Sequence, residues 1–368
     1  MRARAWFGLT LGLLAAACLR AAEDRTRHDL DVGHAHSAAL SVDVGSGLAA
    51  VRALTDQRVR LWLSAPSIEV TLTTQRALDL TFAVENAMPA LVLTRLDTAV
   101  SVPPVSGEDA TKKEWALALP VGSTRVRLAA PEAATNGPFR FALLSDVQEA
   151  IDRVQDIFTL VNAEPGLSFL LGAGDLTDEG EHDELERFQT ELASLHVPYY
   201  TTLGNHELGS EAVPAYQDWF GRCNFQFVHR GVYFTFLDTA SATIDEAAYA
   251  WLDTWLARGQ GSVHVALMHI PPFDPVGTRN AAFASRGEAA TLVGKLARAG
   301  VDLALYGHIH SYYSFENGGI PSFISGGGGA HPERADDIGR HFMVFEIDPD
   351  RGVVSSRVVR VDRRDEDD

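Results

Sequence analysis

Eight residues concentrate the chemistry of this 368-residue chain: Asp146, Gln148, Asp175, Asn205, His206, His269, His308 and His310. They fall in five short blocks, LLSDVQ, GAGDLTD, TLGNHE, LMHIPP and YGHIH. Carboxylate, amide and imidazole are the ligand types of a mixed oxygen and nitrogen metal site, which suits Mn, Fe or Zn better than Mg or Ca. Asp175 is the natural bridge, because one carboxylate can join two ions about 3.5–4 Å apart. A lone Gly-Asp or Asn-His is an ordinary turn, and a lone strand-end His is an ordinary structural residue. The conjunction of eight such residues in five blocks points to a site with room for two ions.

The elements that must position these residues are legible around them. Each block closes a hydrophobic run: FALLSD, LSFLLGAGD, YYTTLGNH, HVALMHI and LALYGHIH. Aliphatic runs of this length ending in polar residues predict buried parallel strands. Ligands gather beyond the carboxyl ends of such strands, so five strands are expected to deliver the eight side chains to one edge. Helices are predicted over 149–162, 181–195, 246–258 and about 287–298. In the second, Leu185, Phe188, Leu192 and Leu195 recur at helical spacing. In the third, Trp251, Leu252 and Trp255 form an apolar face that reads as core. GVYFTFLD and HFMVFEID add strands. GGGG at 326–329 reads as a loop, without the Lys-Ser/Thr that follows a phosphate-binding glycine run.

These blocks resemble the calcineurin-like metallophosphoesterases, whose pattern is D-x-H, GD-x-x-D, GNH-E/D, an isolated His and GH-x-H. The resemblance spans roughly residues 139–350 with the motif order intact. It departs at Asp146-Val147-Gln148, where an amide replaces an imidazole, as in a minority branch. The resemblance implies a four-layer α/β/β/α sandwich. It assigns Asp146, Gln148, Asp175 and His310 to one metal, and Asp175, Asn205, His269 and His308 to the other. His206 would stabilise the phosphoryl oxygens or protonate the leaving group, with Asp178 orienting it. Glu207 is open between support of the site and solvated surface. A water bridging the ions would be acidified towards hydroxide and attack phosphorus in line with the leaving oxygen. The Gln at position 148 tilts one site towards a harder ion, so Mn is the expected metal.

Before this region the chain changes character. Residues 38–130 hold the runs VRLWLSA, IEVTLTT, LDLTFAV, LVLTRL, WALALPV and TRVRLAA, which predict a smaller all-β, sandwich-like domain. Catalytic residue types do not cluster there, so a structural or positioning role is expected, with substrate selection as the alternative. PEAATNGP at 131–138 is the boundary, and the second domain is placed at 139–364. Residues 24–36 are polar, with His28, His34 and His36, and read as a solvated tether.

The N-terminus, MRARAWFGLTLGLLAAAC, has two arginines and an apolar stretch too short to span a membrane. A signal peptide over 1–22 is expected, and with it export to the periplasm or the envelope. Cys18 follows three alanines, as in a lipoprotein signal, although Ala15 stands where Leu is preferred. Lipid anchoring at Cys18 and cleavage near Ala21-Ala22 both stay open. Cys223 is the other cysteine and reads as a small buried hydrophobe, so no intrachain disulfide is expected after processing.

The formal charge of −18 gives no electrostatic footprint for nucleic acid. A small phosphorylated substrate remains compatible, because two dications reverse the local potential. GDLTDEG resembles the cyclic-nucleotide-phosphodiesterase-like branch and has Thr177 and Asp178 where purple acid phosphatases carry a Tyr. The Asp-x-Gln block resembles manganese-dependent nucleoside-diphosphate hydrolases. Phosphodiester or pyrophosphate hydrolysis is therefore expected. The alternatives are a broad phosphomonoesterase and a catalytically degenerate metal-binding protein of the envelope. Phe273, Arg279, Tyr312 and Tyr313 follow the metal blocks and are candidates for substrate contact or for packing. Asp238 is expected to accept hydrogen bonds at a strand end.

Overall fold

The computed structural model describes residues 21–105, 109–209, 215–277, 281–332 and 338–361. The signal segment with Cys18, and Arg279, lie outside these residues. Ten strands come first: β1 His34–His36, β2 Leu40–Val44, β3 Ala49–Leu54, β4 Arg58–Leu63, β5 Ser67–Thr74, β6 Leu78–Glu85, β7 Val92–Arg95, β8 Val100–Val102, β9 Lys113–Leu119 and β10 Gly122–Ala129. They form two sheets, ordered β1-β2-β5-β10-β7-β8 and β3-β4-β6-β9. Burial alternates along β5 and β10, so the first sheet turns one face to a shared core and the other to solvent, whereas Ala50 and Trp62 on the far face of the second sheet pack against Phe220. All six runs predicted here are strands.

Eleven strands follow: β11 Phe139–Leu144, β12 Leu167–Ala173, β13 Tyr199–Thr202, β14 Phe225–His229, β15 Val232–Leu237, β16 His264–Met268, β17 Leu303–Tyr306, β18 Tyr312–Asn317, β19 Ile320–Ser325, β20 His341–Asp348 and β21 Gly352–Arg360. The helices are α1 over 21–29, α2 Gln155–Ala163, α3 His182–Leu192, α4 Tyr216–Phe220, α5 Glu246–Arg258 and α6 Arg286–Arg298. Two further sheets result, β13-β12-β11-β20-β21 and β14-β15-β16-β17-β19-β18. Among the described residues, no helix is long and apolar enough to cross a membrane.

These sheets pack face to face through aromatic side chains. Phe141 stacks on Phe345 of its own sheet with centroids 5.1 Å apart and meets Phe234 of the facing sheet edge-on at 5.5 Å. On the outer face of the first sheet, Phe158 of α2 and Leu185 and Phe188 of α3 cover Leu144, Leu170 and Val344. On the outer face of the second, Leu252 of α5 and Leu292 and Leu296 of α6 cover Met268 and Ile324. The order is α/β/β/α, as the resemblance implies, preceded by the smaller β-sheet pair that the alternating runs predict. The β-sheet pair is tied to the first sheet by Asn86. Its amide nitrogen donates to the carbonyls of Leu63 and Tyr199, and its oxygen accepts the Tyr199 N–H.

Three expectations change. The motif strands do not meet at the edge of one sheet: β11, β12 and β13 belong to one, and β16 and β17 to the other. Parallel pairing holds within each set, so their carboxyl ends still converge where the two sheets face each other. The helix predicted over 149–162 divides into a 3-10 stretch, Gln148–Arg153, and α2. The tether predicted at 24–36 is instead structured and docked. It contains most of α1, with Arg25, Thr26 and Asp29 buried, followed by β1. Cys223 is a free buried thiol, as expected.

Candidate metal centre

Four of the eight block residues sit on backbone that side chains rarely adopt. Asp146, Gln148, Asp175 and His308 have φ of 62°, 47°, 52° and 70°. Left-handed backbone at non-glycine residues is uncommon and costs free energy, and its concentration here marks a functional site. The adjoining glycines give these turns room. A Cβ on Gly204 would lie 2.1 Å from Asp175 Oδ1, and one on Gly307 would lie 1.9 Å from Ser145 Oγ. The glycines of GNH and GHIH therefore allow carboxylates to sit against backbone.

The side chains form two clusters that share Asp175. Asp175, His269 and His308 lie within 4.8 Å of one another through their ligand atoms, as do Asp146, Asp175 and His310. His269 Nε2 lies 3.2 Å from Asp175 Oδ2, 3.1 Å from Asn205 Oδ1 and 3.2 Å from His308 Nδ1. His310 Nε2 lies 3.5 Å from Asp146 Oδ1. His269 Nδ1 meets the Ala173 carbonyl at 2.7 Å, and His310 Nδ1 meets the His331 carbonyl at 2.7 Å. Those bonds fix the tautomers and turn the Nε2 lone pairs inward, as metal-binding imidazoles require. Imidazole nitrogens, carboxylate oxygens and the Asn205 oxygen thus face one another across short gaps. That donor set fits two divalent cations.

Gln148 reaches the same place, with its nitrogen forward. Its Nε2 donates to Asp175 Oδ2 at 2.9 Å and lies 3.3 Å from His310 Nε2. Turning the amide over exchanges nitrogen for oxygen without moving the chain and presents the ligand atom.

Charge among these groups is strongly biased. Burial pushes the Asp146 carboxyl above its ordinary pKa, opposed by His269 and His310. Burial acts likewise on Asp175, but His269 and the His206 N–H outweigh it and hold the carboxyl well below the usual range. Burial depresses His269, yet Asp175 and Asp146 raise it to about 9. Protons compete for these lone pairs, and a bound dication reverses that balance.

His206 stands apart from both clusters. Its backbone N–H donates to Asp175 Oδ1 at 3.0 Å, and its half-exposed ring overhangs the site. Its Nδ1 meets the backbone carbonyl of Asp178 at 2.5 Å, while the Asp178 carboxylate lies 3.6 Å away. The carbonyl therefore orients the ring, and the carboxylate adds charge. Burial lowers the His206 pKa, but Asp175 and the Asp178 carbonyl raise it overall.

Glu207, for which the sequence leaves two roles open, is buried and accepts five hydrogen bonds. These come from the N–H groups of Asp175, Leu176, Thr177 and Gly204 and from the Thr177 hydroxyl. Its position directly after Asn-His is the only signal for it in the sequence. The GGGG loop braces the first turn: Gly328 N–H donates to Ser145 O, and Ala330 N–H to Asp146 O. Phe273 and Tyr313 pack against the α5–α6 core and Tyr312 against the inter-sheet core. Asp238 accepts from Arg25 and from Ala240 N–H.

Residues 139–312 match the family model described as calcineurin-like phosphoesterase. No protein of curated function matches the sequence. Among solved structures, PhoD is similar over 81% of this chain and 88% of its own, at 11% identity and a TM-score of 0.50. Purple acid phosphatase PPD1 from yellow lupin (Lupinus luteus) covers 81% of this chain and 73% of its own, at 15% identity and a TM-score of 0.47. A dimetal phosphatase from Danio rerio covers 61% and 99%, at 14% identity and a TM-score of 0.46.

Proposed function

We propose that the metal-dependent phosphoester hydrolase domain matched at residues 139–312 cleaves a phosphodiester or pyrophosphate bond, with Mn as its metal. The observation that carries this reading is Asp175, shared by two ligand clusters with His206 beside it. Asp146, Gln148, Asp175 and His310 hold one ion, and Asp175, Asn205, His269 and His308 the other. Two divalent ions, when bound there, supply a nucleophile from water at neutral pH and neutralise phosphoryl charge. Asp175 and Asn205 set the spacing of the clusters. His206, oriented through Nδ1 by the Asp178 carbonyl, presents Nε2 to the leaving oxygen and donates its proton there.

Two carboxylates flank this opening. Asp178 lies 3.6 Å from His206, and Glu149 lies 3.8 Å from the exposed His331. A monoester dianion is repelled there more than a diester monoanion, which favours the diester; a pyrophosphate gains nothing from this and rests on the Asp-x-Gln block alone. Thr177 supports the same branch, because its hydroxyl is engaged by Glu207 and is not offered as a ligand.

Kinetics with the Mn-loaded chain test the proposal. Bis(4-nitrophenyl) phosphate or a nucleoside diphosphate should be turned over faster than 4-nitrophenyl phosphate. Preference for the monoester makes the chain a phosphomonoesterase. Two bound ions without turnover of any of the three make it a metal-binding envelope protein.

The reading includes export through the signal at residues 1–22, with a small phosphorylated molecule as substrate and no nucleic-acid partner. Lipid on Cys18 would tether the protein to the membrane. Mass spectrometry of the mature N-terminus tests this: a free N-terminus beyond residue 18 removes the anchor, and an intact Met1 in the cytoplasm removes export as well.

A further inference from the structure

Helix α1 is seated on the hydrolase sheets through two buried charges. Arg25 is 2% exposed; its Nε donates to Asp238 Oδ2 at 2.6 Å, and its Nη2 to Asp238 Oδ1 at 3.1 Å and Ser241 Oγ at 3.0 Å. Asp29 is fully buried and accepts from Gln217 Nε2, Cys223 N, Asn224 N and Asn224 Nδ2. Asn224 Oδ1 in turn accepts the Asp238 N–H at 2.9 Å. The two charges of α1 therefore converge on one residue, Asp238, at the end of β15. Buried charges are stable only when paired and hydrogen-bonded, and these are.

Asp238 passes this restraint to the metal centre. Its Oδ1 accepts the Ala240 N–H and turns the chain after β15. The turn holds the Thr239 hydroxyl where it accepts the Ile270 N–H at 2.8 Å. Ile270 follows His269 directly. His269 is thus gripped from two sides, through Nδ1 by the Ala173 carbonyl and through its backbone neighbour by Thr239. We infer that Arg25 is a positioning residue for His269, acting through Asp238 and Thr239. This rests on the metal-centre reading above and adds an asymmetry to it. The Asp175–His269–His308 cluster contains the residue this network grips; the cluster of Asp146, Asp175 and His310 does not, and its turn after β17 meets the network only through the Gly307 N–H on the His269 carbonyl.

The experiment measures divalent-ion affinity and stoichiometry of the full chain by calorimetry with Mn and by elemental analysis after mild chelation. Thermal unfolding is followed in parallel. Wild type is read first: a chain that binds no divalent ion overturns the metal-centre reading, and this inference with it. Given two ions in wild type, Arg25→Met should weaken one by about tenfold to a hundredfold, the scale seen for partners that orient a ligand. The other ion should bind as before. Thr239→Val removes the last link without touching the buried ion pair and should give the same one-ion loss in a chain that folds. A lowered unfolding temperature in Arg25→Met with both affinities unchanged in Thr239→Val reduces α1 to a structural prop and overturns the inference. Equal weakening of both ions overturns it too.

Discussion

The Glu207 carboxylate accepts the backbone N–H of Asp175 at 2.9 Å, so the residue that bridges both clusters is itself held by a buried acid. Its two oxygens also take the N–H groups of Leu176, Thr177 and Gly204, binding the GDLTD turn to the GNHE turn. Glu207→Gln would set an amide NH2 against these donors. Stability should fall by about 2 kcal/mol or more, the cost of leaving buried donors unmatched. Urea unfolding checks this; an unchanged midpoint would mean the turns hold without the carboxylate.

Gln148→Ala separates the two ions from the other side. Gln148 touches Asp175 and His310, ligands of one cluster. Metal content after mild chelation should fall from two per chain towards one. Unchanged stoichiometry and affinity would make the amide a spacer.

His206→Ala should keep both ions, because only its backbone contacts a ligand. Turnover should drop by about a hundredfold to ten-thousandfold, the range for a general acid. The loss should be smaller with a nitrophenolate leaving group, which needs no proton; equal losses would assign His206 to phosphoryl charge instead. Asp178→Asn should cost about tenfold or less, because the backbone carbonyl that orients His206 survives and exposed ion pairs are weak.

His229 makes stability depend on pH away from the site. Its ring sits edge-on to Phe139 and Phe169, and burial, then Arg230, lowers its pKa to about 3. Burial lowers His264 to about 4. Both folded-state values lie below the ordinary 6.5. The neutral rings therefore contribute full stability above about pH 6.5 and progressively less as pH falls towards 4 and 3. His229→Phe suits the aromatic surroundings and should remove about 2 kcal/mol of the loss between pH 7 and 4.5. Parallel stability curves for wild type and variant would place the sensitivity elsewhere.

The site is legible in the sequence because its ligands lie at the ends of unusually plain apolar runs. Strand ends project such residues to one place whatever the connections between them. The division into two sheets is not legible from periodicity, since β11 and β16 are alike in hydrophobicity and differ only in which neighbours they pair with. Helix α1 reads as a tether for a related reason. Arg25 and Asp29 look like solvated charges until their partners, 213 and 194 residues away, come into contact. Glu207 is ambiguous because an acid after Asn-His says nothing about its burial. Its place follows from Gly174 and Gly204, where an added Cβ would strike the facing turn, so the two turns lie close enough to share one carboxylate.

The docking of α1 also inverts the order in which the chain is made. Arg25 leaves the ribosome 213 residues ahead of Asp238. At about 5–20 residues per second that is a wait of roughly ten to forty seconds. A helix as short as the described span of α1 does not hold its shape alone in water for that interval. A segment synthesised early is therefore among the last to be seated, and a ribosome stalled before residue 238 presents it unfolded to any protease or translocation factor that meets the nascent chain.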